Sequence, residues 1–217
     1  MGQKEPTRVS DLYPYFAQYH GMVSREIKGL TETQLDWDST EWEWALWSIR
    51  RDISHVASHL FRQYLLPKYW GDVLFPAHKP FAEDVHDLAA LPTRRLHEDR
   101  WWTMDSIMEK LEQGLEIVQG IMATETLETI QQKTIIYDNP PGYHVLAHWY
   151  PETCWPHPEL PGHWIMTLEG SLHHSECELI THLYNIQRHK RAQGILATEP
   201  LPPIGYWTLK DWDRSEP

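Results

Sequence analysis

The sequence predicts an all-α fold, a four-helix bundle elaborated by long aromatic and proline-rich loops. Three observations predict it. Four segments step their apolar residues at three and four, the period of one helix face. No segment carries a clear strand pattern. Proline-rich stretches separate the later segments and supply the breaks a bundle needs.

The first helix is predicted over 11–30. Asp11 caps it, Pro14 lies in its first turn, and Leu12, Phe16, Tyr19, Val23, Ile27 and Leu30 form its stripe. Gly29 and the polar run Thr31 to Thr33 end it, and residues 1–9 before it read as a loose polar start. A connection rich in Trp and acid, LTETQLDWDSTEWEWA, leads to a second helix over 46–66. Leu46, Ile49, Ile53, Val56 and Leu60 are its stripe, Pro67 stops it, and His55 and His59 sit one turn apart on its flank.

Pro67, Pro76, Pro80 and Pro92 make residues 67–100 a long loop, with EDVHDLAAL as a short helical turn. The third helix, 103–123, is capped by Thr103 and buries Met104, Ile107, Met108, Leu111, Leu115, Val118 and Met122. Its Gly114 and Gly120 weaken it slightly or allow close packing. Residues 124–166 stay open between a short hairpin and a wandering loop. The last helix, 171–194, starts near Thr167 or Ser171 and ends at Gly194. Leu172, Leu179, Leu183 and Ile186 form its stripe, and Ile53, Val56, Leu111, Leu115, Leu179 and Leu183 are the predicted shared core. A Pro- and Trp-rich tail from about residue 198 is expected to lie across the helices, anchored by Trp207 and Trp212. The whole chain, 1–217, reads as one domain.

Twelve tryptophans in 217 residues imply large buried or pocket-lining aromatic surfaces. The formal net charge of −12 argues against nucleic acid and anionic membranes as partners, since both need a concentrated basic surface. No apolar run reaches the roughly 18 residues of a membrane span. The start MGQKEPTRVSDL lacks the apolar core of a secretory signal, and Pro6 stands where N-myristoylation wants Ser or Thr. Two cysteines, Cys154 and Cys177, make no disulfide framework, so a cytoplasmic setting is expected and both thiols read as inert.

The chemistry concentrates on the last helix. Beside its apolar stripe runs a second one, Glu178, His182, His189 and Gln193, within about a quarter turn. His55, His182 and His189 are the candidate metal ligands, imidazole being the common donor to zinc and nickel. His182 and His189 stand about 10.5 Å apart along the axis, whereas Glu178 and His182 are one turn apart. The competing reading makes these histidines hydrogen-bonded flank residues without metal. His78, His97, His144, His148, His157 and His163 fall in loops without paired helical spacing, and the neighbours His173 and His174 point apart. Lys190 continues the apolar stripe. It either snorkels outward or stands as a fixed cation inside.

Two segments, LTETQLDW with WSIRRDISHVASH and then HLYNIQRHKRAQG, resemble the DinB-like (DinB/YfiT-like) superfamily of four-helix-bundle metalloenzymes. The resemblance implies a metal held by one side chain from helix two and two, four residues apart, from the last helix. His55 takes the first place. The other two fall on Ile186 and Lys190, or on Asn185 and His189 if the alignment slides by one. Neither Ile186 nor Lys190 offers a lone pair at neutral pH, so a degenerate site is expected. Two functions follow. One is a metal-dependent, thiol-linked transferase or hydrolase-like enzyme using a divalent ion such as zinc or nickel. The other is a non-catalytic relative that binds a small molecule or forms a homodimer without metal.

Overall fold

The computed structural model describes residues 8–138 and 143–217, with backbone alone for 143–145. Four long helices carry the fold: α1 (Tyr15–Ile27), α2 (Ile49–Leu65), α3 (Met104–Thr124) and α4 (Leu168–Ala192). α2 packs against α3 and α4, and α1 packs against the same two. All six predicted core residues are buried in one cluster between them.

The fold is mainly helical but not purely so. β1 (Ala89–Ala90) and β2 (Arg95–Leu96) form a small antiparallel hairpin. β3 (Thr134–Asp138), β4 (Cys154–Pro156) and β5 (His163–Thr167) form an antiparallel sheet with β5 central. The helical part of the all-α expectation holds, and two small sheets are added to it. Ile135 and Tyr137 of β3 are buried while Ile136 is exposed, an alternation too short to stand out beside the Pro-rich stretches. Tyr143–Trp149 is a further short helix. Residues 139–142, the Gly2 and Pro6 positions and the rest of residues 1–7 lie outside the described residues, as does the side chain of His144.

Element boundaries differ from the expectation where polar caps outrank periodicity. The first helix is split. A single turn, Val9–Leu12, precedes Pro14, and α1 begins after it. Val9 is buried, so the start is not loose at that point. α2 begins at Ile49 because Ser48 caps it by accepting the Arg51 N–H; Leu46 is left exposed, outside the stripe. α4 begins at Leu168, because Thr167 at the end of β5 accepts the Gly170 N–H at 3.0 Å.

The acidic connection is tied to α2 by the buried guanidinium of Arg50, which pairs with Glu32 and Asp36 and donates to the Trp102 carbonyl at 2.7 Å. α2 and α3 approach closely at Gly114, where a Cβ would stand 3.0 Å from Leu60 Cβ. A buried polar chain then joins α2 to α4: Tyr64 donates to Ser175 Oγ, Trp70 Nε1 and Gln63 Nε2 donate to Ser171 Oγ. These bonds fix the register in which the two helices face each other.

Candidate metal centre

His55 on α2 faces Glu178 and His182 on α4. One donor atom from each lies within 4.8 Å of the others, and both histidines are buried. Glu178 and His182 are four residues apart, so one helix turn stacks them on a common edge. Glu178 Oε2 stands 3.4 Å from His182 Nε2 and 3.9 Å from His55 Nε2.

Both rings are aimed by their other nitrogen. His55 Nδ1 donates to the Arg94 carbonyl at 2.9 Å, which leaves Nε2 with its lone pair toward Glu178. Arg94 is the turn residue between β1 and β2, and its φ of 57° lies in the left-handed region that a non-glycine residue seldom adopts. The hairpin thus presents its carbonyl at a backbone cost. His182 Nδ1 donates to Asp52 Oδ1 at 3.0 Å. Two imidazoles with locked Nδ1 donors and a carboxylate between their Nε2 atoms are a donor set that fits a divalent ion, with the outer partners such sites use.

Electrostatics separates the two rings. Burial pushes His55 down to about 4, against the opposing pull of Glu178, so it is neutral at pH 7. Burial also acts to lower His182, but the hydrogen bonds to Asp52 and Glu178 outweigh it and hold the ring up at about 10. Burial acts to raise Asp52 and Glu178, yet the histidines around them keep both carboxyls below their ordinary range. Without an ion, the proton on His182 neutralises part of the two carboxylates.

Of the expected ligands, the structure brings together His55 and His182. His189 lies beyond Asp52, its Nε2 3.5 Å from Oδ2, with its ring edge-on to Trp37 and Trp44. It is wholly buried and outside the group that can hold an ion. Ile186 is in the core, and Lys190 is buried in an ion pair with Glu26, so Lys190 neither snorkels outward nor occupies the centre. His59 is bonded to Ser175 Oγ at 3.0 Å, and His173 stacks on Tyr150 at 4.0 Å. The sequence marks Glu178 with His182 as the better-spaced pair, one turn apart, but the three expected ligands are His55, His182 and His189, with His189 in the place that Glu178 holds. Asp52 carried a weaker signal, one turn before His55 on α2. Arg94 carried none, because a carbonyl acts through backbone position.

Trp47 covers the centre. Its ring centroid is 5.0 Å from that of His55 and 6.4 Å from that of His182, nearly parallel to the latter. Beyond it opens a cleft of about 510 Å³, walled by Trp44, Trp47, Asp52, His182, Arg188 and Trp212. Comparison of the chain with family models, curated proteins and solved structures finds no match. Fold and site therefore define the protein as mainly helical with a buried metal-competent group. Among the described residues no helix is long and apolar enough to cross a membrane.

Proposed function

We propose that the protein is a metal-dependent enzyme of the DinB-like kind, a four-helix bundle whose His55, Glu178 and His182 hold one divalent ion, zinc or nickel. The observation that carries this reading is the convergence of three donor atoms within 4.8 Å on two facing helices, with both histidines oriented through Nδ1. When bound, such an ion polarises a substrate oxygen or acidifies a water, the chemistry of hydrolysis and group transfer, thiol-linked transfer included.

The chain's own residues do the rest. Asp52 holds His182 in the tautomer that offers Nε2, and the Arg94 carbonyl does the same for His55. Trp47 shields one side from water and leaves the cleft as the approach for a small molecule. Metal content of protein purified without a histidine tag tests the reading. About one divalent ion per chain is expected, falling by at least about tenfold in His55→Ala and in His182→Ala. Metal-free protein that also fails to take up added zinc or nickel ends it.

A second reading rests on the pairing of His182 with both Asp52 and Glu178. A proton there can satisfy the cluster without an ion. The protein is then a non-catalytic bundle that binds a small molecule in the cleft or dimerises. The same measurement separates the two.

A further inference from the structure

The cleft beside the centre contains a buried cation that forms no ion pair among the described residues. Arg188 lines it and is fully buried. Its Nη1 donates to the carbonyl oxygens of Asp213 at 2.9 Å and Ser215 at 3.4 Å, and its Nη2 to Asn185 Oδ1 at 2.8 Å. Its faces meet the rings of Trp44 at 4.5 Å and Tyr184 at 4.7 Å. Each of these partners is neutral. Nε is buried and has no hydrogen-bond partner among the described residues. Nor does Arg188 have an ion-pair partner among them, whereas the other fully buried arginine, Arg50, has two carboxylates. A buried cation without a contacting counter-ion is costly, and burial presses this guanidinium below its ordinary range although Tyr184, Asp213 and Glu216 pull the other way.

We propose that the cleft binds a small organic monocarboxylate whose carboxylate takes the free Nε edge of Arg188 and whose flat or apolar body lies among Trp44, Trp47 and Trp212. The inference deepens the metal-enzyme reading and rests on it for the ligand's second anchor, the ion at His182. Along α4, Arg188 and His182 are six residues or about 9 Å apart, a span suited to a molecule of metabolite size. Planar guanidinium and carboxylate match edge to edge. Charge selects the class of anion. Glu43, Asp211 and Asp213 also line the cleft and are exposed, so a dianion such as phosphate meets their repulsion while a single negative charge is neutralised by Arg188. The aromatic walls favour an apolar middle over a polyhydroxylated one.

The test uses 3-phenylpropionate, its neutral analogue 3-phenylpropionamide, and inorganic phosphate, titrated into wild type and Arg188→Gln. Each protein is used both zinc-loaded and after dialysis against a chelator, with metal content measured on the same samples. The carboxylate is expected to bind wild type at least about tenfold more tightly than the amide, and phosphate not measurably. That preference should persist without zinc and vanish in Arg188→Gln. Equal binding of carboxylate and amide by wild type overturns the proposal, as does a preference that appears only with zinc and survives in Arg188→Gln. If Arg188→Gln does not fold, Arg188→Lys is expected to keep part of the preference, and the wild-type comparison without zinc still decides. Zinc uptake without carboxylate preference removes the carboxylate site alone. Carboxylate preference in a chain that takes up no metal removes the metal reading alone.

Discussion

Asp52 Oδ1 accepts the Nδ1–H of His182 at 3.0 Å across the contact between α2 and α4, and the other oxygen stands 3.5 Å from His189. One buried carboxylate thus fixes which His182 nitrogen faces Glu178 and His55. It acts on the centre without being one of its three donors.

Asp52→Ala should therefore weaken zinc binding by about 10–100-fold, the usual effect of removing an outer partner of a metal-bound histidine. Competition with a chromophoric chelator measures it. Zinc affinity unchanged in Asp52→Ala would mean that the ring is oriented by packing alone.

Glu178 and His189 should part company. Glu178→Ala is expected to abolish stoichiometric zinc binding, since it removes the donor between the two rings. His189→Ala should keep the stoichiometry and instead lose stability by about 2–4 kcal/mol, because the wholly buried ring fills the space beside Trp37 and Trp44. Calorimetry with zinc and chemical denaturation on both variants give the two readouts. The reverse pattern would restore His189 as the ligand.

What the sequence made legible was governed by local periodicity. The apolar stripes located α2, α3 and α4, and Leu183 of the predicted core is fully buried. Leu183→Ala should cost about 2–5 kcal/mol in denaturant unfolding, and a loss under about 0.5 kcal/mol would be inconsistent with its burial. His55 and His182 were also legible, because helical spacing puts them on interior edges. The small sheet was legible only as an open hairpin alternative within 124–166, since β4 and β5 lie in a Pro-rich stretch without a period and β3 pairs with the distant β5. The Glu178–His182 spacing is legible in the sequence, yet Glu178 stays out of the expected ligand set for a positional reason. The family-like ending at Arg191 drew the expected pair to Ile186 and Lys190, whereas the structure keeps the four-residue spacing two turns earlier, at Glu178 and His182. Arg188 was passed over because its meaning depends on Trp44 and on the strap at 213–215, which the chain brings back only in three dimensions.

Zinc affinity should rise with pH. His182 holds its proton up to about 10, whereas His55, pushed down to about 4, is already neutral. Between pH 6 and 8 an ion must therefore displace one proton, so the binding constant is expected to increase about tenfold per pH unit. The metal-free protein should show the converse. A raised histidine contributes stability that is full below its unfolded value of about 6.5 and is lost as pH climbs through about 10. A flat pH dependence of zinc binding over pH 6–8 would show that His182 is neutral in the free protein.

The last prediction concerns Lys190, whose ammonium pairs with Glu26 inside the contact between α1 and α4. Glu26 also accepts the N–H groups of Thr198 at 2.9 Å and Glu199 at 2.8 Å, and Gln187 Nε2 at 2.9 Å. Burial acts to raise this carboxyl, but Lys190 and these donors hold it below its ordinary range. Its contribution to stability is therefore present above pH 4.5 and is lost as pH falls through the lower folded value. Glu26→Gln should cost about 3–5 kcal/mol at pH 7, because it leaves a buried ammonium without its counter-charge. The double change Glu26→Gln with Lys190→Met should recover much of that loss, since it removes the stranded charge while keeping an acceptor for the 198–199 backbone. Zinc binding should be unaffected by either, as the pair lies apart from the three donors. Urea unfolding at pH 7 and at pH 4 reads the stability, and the same samples report zinc uptake. A double variant no more stable than Glu26→Gln would mean that the carboxylate acts through the chain at 198–199 rather than through Lys190, and loss of zinc uptake would tie Lys190 to the centre after all.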